Sequence, residues 1–269
     1  MKLGYTTEGE LKLDLAEQLQ HFSVIGAGAK DHKSRLYLAK ILGDQIQAGY
    51  GCLIIQVEED SLKQSLQENL EKKNRSADFL ELADKDANNL FEILDEAVNK
   101  NKVIYVELSQ RSPHFRQAFY KTLNQYIDET CYLGNTRRQN RNVFIVLVNQ
   151  IDRHLDPVWV KMAIWLRKIN FMLITAFDSF DCVLECRERT QHWHMINNIL
   201  DFTHTKIIFN QHDSEINEAA TSYLGLPRNL PATGLRGFLN KNTTENLIDQ
   251  LGRKDCAVLI GNQCMKLRF

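Results

Sequence analysis

Two side-chain amides, Asn149 and Gln150, follow the apolar run Val143-Phe144-Ile145-Val146-Leu147-Val148. The run predicts a buried strand, which puts both amides at its carboxyl end. A carboxylate pair there could support Mg²⁺ with one member and polarise an attacking water with the other, as in nucleotide-hydrolysing α/β domains. The near-isosteric amides carry no charge to neutralise a metal ion and have no useful basicity near neutral pH. The expectation is a strand end shaped for hydrolysis without the groups that perform it.

Other residues are candidates for chemistry. Gly26 and Gly28 lead past His32 to Lys33 and Ser34. A phosphate cradle needs glycine before its lysine, because several backbone N–H groups must turn inward. His32 stands there instead, Lys30 and Asp31 add bulk and negative charge, and the loop is one residue longer than such a cradle. Lys33 and Ser34 could hold an anion at a helix N-terminus or simply begin a solvated helix, the favoured reading. Cys182, Cys186, His192 and His194 could form a four-ligand zinc set, although the tight turn of a zinc knuckle is missing. Two buried thiols and two surface imidazoles are the commoner outcome, so no metal is expected. Arg137, Arg138 and Arg141 could track nucleic acid, but little aromatic interleaving accompanies them. His154 lies between Asp152 and Asp156, an acid–base arrangement with no evident nucleophile.

The elements that must position these residues alternate. Phe22–Ile25 reads as a strand, a helix from Lys33 to Ala48 carries Leu36, Leu38, Ile41, Leu42 and Ile46, and Cys52–Val57 is the next strand. That is a βαβ unit, so the sheet is parallel. Helices follow at Asp60–Glu71 and Ala87–Asn99, then a strand at Lys102–Leu108. A long helix after Pro113 presents Phe115, Phe119, Leu123, Tyr126 and Ile127 on one face. Beyond the amide-ended strand come a helix at Pro157–Ile169, a strand at Phe171–Ala176, a helix at His192–Leu200 and a strand at Thr205–Asn210. Helices at Glu215–Leu224 and Thr243–Leu251 precede a hairpin turning at Gly261-Asn262, which closes the sheet at an edge. Trp159, Trp165, Phe177 and Phe180 supply core, and any that reach the surface would be interface anchors.

Composition narrows the class. With 269 residues and no Ser/Gly/Pro-rich linker, one domain over 1–269 is expected. No apolar run approaches the roughly 18 residues that cross a bilayer, and no signal peptide opens the chain, so it is expected in the cytoplasm. The 33 basic and 34 acidic residues give a net charge of −1, which speaks against bulk affinity for nucleic acid. Six cysteines spread along the chain, several beside apolar strands, are the pattern of reduced thiols.

In this order of elements the chain resembles the RecA-like, P-loop ATPase domain of the FtsK and type IV coupling-protein (TraD-like) superfamily. Val24-Ile25-Gly26-Ala27 and Lys33-Ser34 match the two ends of its phosphate loop, and Val103–Ser109 is similar to its middle strand. Val143–Val148 falls where its acidic strand lies, and Leu173-Ile174-Thr175 where its Thr-Gln sensor strand lies. The chemistry departs at His32, at Asn149-Gln150, and at Ala176 in place of the sensor Gln. The resemblance therefore implies an α/β fold, mainly parallel with flanking helices and a C-terminal antiparallel hairpin, acting as a pseudo-ATPase without a cofactor. It also implies a scaffold or binding subunit of a type IV secretion or conjugation coupling complex, for instance an accessory subunit of a Dot/Icm-type complex. Its partners would be protein subunits, its state a monomer or dimer, and any contact with the inner membrane peripheral through those partners. The rival expectations are a divergent active ATPase or DNA-translocation subunit, and a nucleic-acid-binding protein using the basic loop.

Overall fold

Continuous apolar stretches bounded by turn residues become strands buried on both faces, and the periodic stretches between them become the covering helices. The computed structural model describes residues 1–6, 9–13, 21–26, 33–58, 62–71, 78–132, 143–186, 190–226, 248–249, 251–252, 255–261 and 263–269. The strands are β1 (Lys2–Thr6), β2 (Gly9–Lys12), β3 (Phe22–Ile25), β4 (Cys52–Gln56), β5 (Phe79–Glu81) and β6 (Val103–Glu107). They continue with β7 (Phe144–Asn149), β8 (Phe171–Phe177), β9 (Thr205–Ile208), β10 (Asp255–Ile260) and β11 (Gln263–Arg268). The helices are α1 (Lys33–Gln47), α2 (Leu62–Glu71), α3 (Leu90–Lys100), α4 (Pro113–Tyr132), α5 (Pro157–Trp165), α6 (Phe180–Glu185), α7 (Thr190–Phe202) and α8 (Ser214–Tyr223).

All strands join one 11-stranded sheet in the order β2-β1-β11-β10-β9-β3-β8-β7-β4-β6-β5. From β9 to β5 every pairing is parallel, and from β9 to β2 every pairing is antiparallel. The period-2 alternation of strands sorts the side chains into two cores. Leu53, Ile55, Val146, Val148 and Leu173 join α3, α4, α5 and α7 on one face. Ile54, Ile145, Leu147, Met172 and Ile174 join α1 and α2 on the other. The mainly parallel α/β architecture is as expected.

Several expectations need correction. The C-terminal hairpin β10–β11 is not the sheet's edge, because β1 pairs with β11 and β2 lies outside β1. Among the described residues the N-terminal hairpin buries Leu3 and Leu13 in one core, and it lacks the apolar run that marks a strand. On α1 the inward position is taken by Tyr37, and Leu36 is 62% exposed. The Pro157–Ile169 helix tightens to 3₁₀ geometry from Leu166 onward. The short helix α6 went unpredicted, although Ser179 caps it by accepting from the Cys182 N–H. The expected helix at Thr243–Leu251 lies largely outside the described residues.

Candidate functional site

The strands from β9 to β5 are parallel, so their carboxyl ends open on one edge, where α/β sheets bind ligands. Strand β8 is inserted between β3 and β7, with β4 beyond. That order lines up Gly26 after β3, Asp178 after β8, Asn149-Gln150 at β7 and Gln56–Glu58 at β4.

Gly26 donates its N–H to the Phe177 carbonyl at 3.0 Å. A Cβ added to it would stand 2.6 Å from both the Asp178 carbonyl and Ser34 Oγ, so only glycine fits. Ser34 Oγ thus lies near Gly26 at the end of β3, with Lys33 and Ser34 opening α1. Gly28, Lys30, Asp31 and His32 lie outside the described residues, as do Arg137, Arg138 and Arg141.

Asn149 and Gln150 are buried and bonded into a directional chain. Asn149 Nδ2 donates to Gln56 Oε1 at 2.8 Å, and Gln56 Nε2 donates to Gln150 Oε1 at 2.6 Å. The Glu58 N–H donates to the same Gln150 oxygen at 3.2 Å. Parallel register sets Gln56 beside Asn149. Gln150 turns the chain in a left-handed conformation, φ 58°, a backbone cost offset by the bonds its side chain accepts. The backbone N–H of Glu58 can only donate, so it fixes the orientation of the whole chain. The amides thus fasten β7 to β4.

Asp178, Arg153, Asp152 and Glu58 form a charged cluster beside this chain. Arg153 donates from Nε and Nη2 to Asp178 Oδ2 at 3.1 and 3.0 Å. Its Nε lies 3.7 Å from Asp152 Oδ2 and 4.0 Å from Glu58 Oε2. Asp152 Oδ1 accepts from the Asp178 N–H at 3.0 Å, while its Oδ2 is buried with no hydrogen-bond partner among the described residues. Burial first, and the Asp178 charge second, push the Asp152 carboxyl up to about 6. Burial and neighbouring Asp152 push the Cys182 thiol up to about 12, so it is unreactive at neutral pH. Sequence reasoning missed Arg153 and Asp178. The only signal was an unexplained charge, one residue past β8 for Asp178 and four past β7 for Arg153.

The remaining expected site residues disperse. Thr175 lies inside the sheet, in register with Ser23, and its Oγ1 bonds Ser23 Oγ at 2.7 Å. Ser23 Oγ in turn bonds Thr203 Oγ1 at 2.8 Å, a buried hydroxyl chain that leads away from the carboxyl ends of the strands. Ala176 is buried among the apolar residues beneath α1, and Asp178 occupies the edge instead. Cys182 contacts Ser179 and Cys186 is buried, while His194 faces solvent from α7. Cys182, Cys186, His192 and His194 are not assembled, and the described residues contain no metal-holding group of His, Cys, Asp or Glu. His154 stacks on Tyr120 and Asp156 caps α5 by accepting from the Val158 N–H, so neither joins Asp152. Trp159, Phe177 and Phe180 are core. Of the four expected anchors only Trp165 reaches the surface, at 38% exposed. It lines a groove of about 690 Å³ between α5 and α7 with Val160, Ile164 and Met195.

The nucleotide-bound Mg²⁺ that this edge would take in a hydrolase does not fit these residues. Asn149 brings no negative charge and has its N–H₂ donated to Gln56, the Gln150 oxygen already accepts twice, and the nearby carboxylates face a guanidinium.

No family model and no curated protein matches the chain. Solved structures do. VirB4 of Thermoanaerobacter pseudethanolicus superposes with a TM-score of 0.60 at 11% identity, over 100% of this chain and 96% of that one. The cytoplasmic domain of the Type VII secretion ATPase EccC of Thermomonospora curvata gives 0.59 at 9% identity, over 100% of this chain and 28% of that one. B204, the DNA-packaging ATPase of Sulfolobus Turreted Icosahedral Virus, gives 0.54 at 9% identity, over 93% and 97%. At such identities the likeness establishes the fold, which is the RecA-like P-loop ATPase fold expected from the order of elements.

Proposed function

We propose that this chain is a non-catalytic binding subunit built on an inactivated ATPase fold, working in a coupling assembly of a secretion or conjugation system. The amide chain Asn149–Gln56–Gln150 carries the reading. A hydrolytic strand end must present a carboxylate to metal and water, whereas this one uses its polar groups to bind its neighbour strand. The secretion setting is supported by the fold's likeness to VirB4 and EccC. Its partners are then protein subunits, with exposed Trp165 an anchor among the described residues, and the chain stays a monomer or dimer. An accessory role in a Dot/Icm-type complex is the specific form of this reading. Among the described residues no helix is long and apolar enough to cross a membrane, so any membrane contact would run through partners.

Titration with Mg²⁺-ATP and a phosphate-release assay on the full chain test the first half. The expected results are no micromolar affinity and no turnover; Mg²⁺-dependent turnover overturns the reading. A tagged chain pulled down from its source cell tests the second half, which is lost if no secretion or coupling subunit is recovered.

A further inference from the structure

Among the described residues, three carboxylates reach the carboxyl edge from three different strand ends: Glu58 after β4, Asp152 after β7 and Asp178 after β8. Together they would repel strongly, and two of them are poorly solvated, with side chains 1% exposed for Asp152 and 9% for Asp178. A cation among them relieves that repulsion. Arg153 supplies one. Its guanidinium takes two bonds to Asp178 Oδ2 and lies within ion-pair distance of Asp152 Oδ2 and Glu58 Oε2.

Two further observations locate this cation. Asp152 Oδ2, buried and with no hydrogen-bond partner among the described residues, lies 3.7 Å from Arg153 Nε. The Asp178 backbone also touches the Gly26–Ser34 junction, since its carbonyl and Ser34 Oγ both stand 2.6 Å from the Gly26 Cβ position. The guanidinium therefore sits past the ends of β7 and β8, bonded to the residue whose backbone carbonyl approaches Gly26. In P-loop hydrolases the serine of the loop and an acidic strand-end residue hold the metal at such a place.

We propose that the Arg153 guanidinium is the built-in cation of this edge, occupying the place among Glu58, Asp152 and Asp178 that a divalent metal ion would otherwise take. Removing it converts a closed edge into a divalent-cation site. Ca²⁺ suits the vacated space best, because it accepts irregular sets of carboxylate oxygens at 2.3–2.6 Å, whereas Mg²⁺ demands near-octahedral geometry. The inference borrows from the proposed function only the identity of the place. Turnover by the native chain would overturn that function, whereas the cation assay reads Arg153 directly.

The test compares the native chain with R153Q by thermal unfolding in Ca²⁺ and in a NaCl buffer of matched ionic strength. The native midpoint is expected not to respond specifically to Ca²⁺. The R153Q midpoint should rise by about 5 °C at a Ca²⁺ concentration near 100 times its Kd, and adding D178N should abolish the rise. An R153Q midpoint indifferent to Ca²⁺ overturns the proposal, as does a native chain that responds equally. Should R153Q fail to fold in NaCl, refolding from urea with and without Ca²⁺ gives the same reading. Recovery only with Ca²⁺ supports the proposal, and failure in both overturns it.

Discussion

Restoring the two carboxylates one at a time should have unequal consequences. In N149D an N–H₂ donor becomes an oxygen facing Gln56 Oε1, which now stands 2.8 Å from the donor it would lose. Gln56 cannot rescue the contact by flipping, because its Nε2 serves Gln150 Oε1 and that oxygen is pinned by the Glu58 N–H. Two acceptors then face each other in a buried site, one of them charged, at a cost of about 3 kcal/mol. Q150E keeps an acceptor where an acceptor is needed, and its two N–H donors partly compensate burial of the charge. Its cost should be about 1 kcal/mol. The assay is urea unfolding of both variants and the native chain from pH 4 to pH 8. In N149D, burial raises the folded-state pKa of the introduced carboxyl above its unfolded value of about 3.9. Its penalty is therefore fully expressed above the folded pKa and fades as pH falls toward 4, where a protonated carboxyl can donate to Gln56 Oε1. Comparing variants with the native chain at each pH cancels every other titration. Q150E costing as much as N149D, or an N149D penalty unchanged across this range, would refute the directional chain.

Other expectations follow from the same structure. His21 is fully buried, accepts from the Leu173 N–H, and is held neutral to about pH 3 by burial first and Arg167 second. Its folded pKa lies below the unfolded 6.5, so stability falls as pH drops from 6.5 toward 3, by up to about 4 kcal/mol. H21Q, which keeps an acceptor for Leu173, should flatten that slope in acid unfolding curves. Asp152 acts in the opposite direction. Its folded pKa of about 6 exceeds the unfolded value, so its stabilising share is present below about pH 3.8 and lost as pH rises through 6. D152N should therefore gain stability relative to the native chain at pH 7 and lose that advantage near pH 4, by chemical unfolding. G26A, whose new methyl meets the Asp178 carbonyl and Ser34 Oγ at 2.6 Å, should lower stability by about 2 kcal/mol. A neutral G26A would mean that the β3–α1 junction is looser than described.

Much of the fold was legible because burial on both faces writes long apolar runs. Phe22–Ile25, Cys52–Gln56 and Phe144–Asn149 appear as strands within a residue or two of the expected bounds. The face of α4 carrying Phe115, Phe119, Leu123, Tyr126 and Ile127 is buried throughout. The N-terminal hairpin was illegible because an edge strand with one covered face needs few apolar residues. Trp159 and Trp165 look alike in sequence, yet six positions along a helix turn the side chain to another face, core for one and groove for the other.

Local chemistry alone determined that the end of β7 carries amides, that Gly26 lies between a strand and a helix opening with Lys33-Ser34, and that strands and helices alternate into a parallel sheet. Each is a property of residue type and short-range periodicity. Only tertiary structure decided what those residues touch. Strand order and register bring Gln56 to Asn149 and Gln150 across more than ninety positions, withdraw Thr175 from the edge to Ser23, and gather Glu58, Asp152 and Asp178 around Arg153. Such contacts depend on which strands are neighbours, a choice made by the packing of the whole sheet rather than by any segment within it.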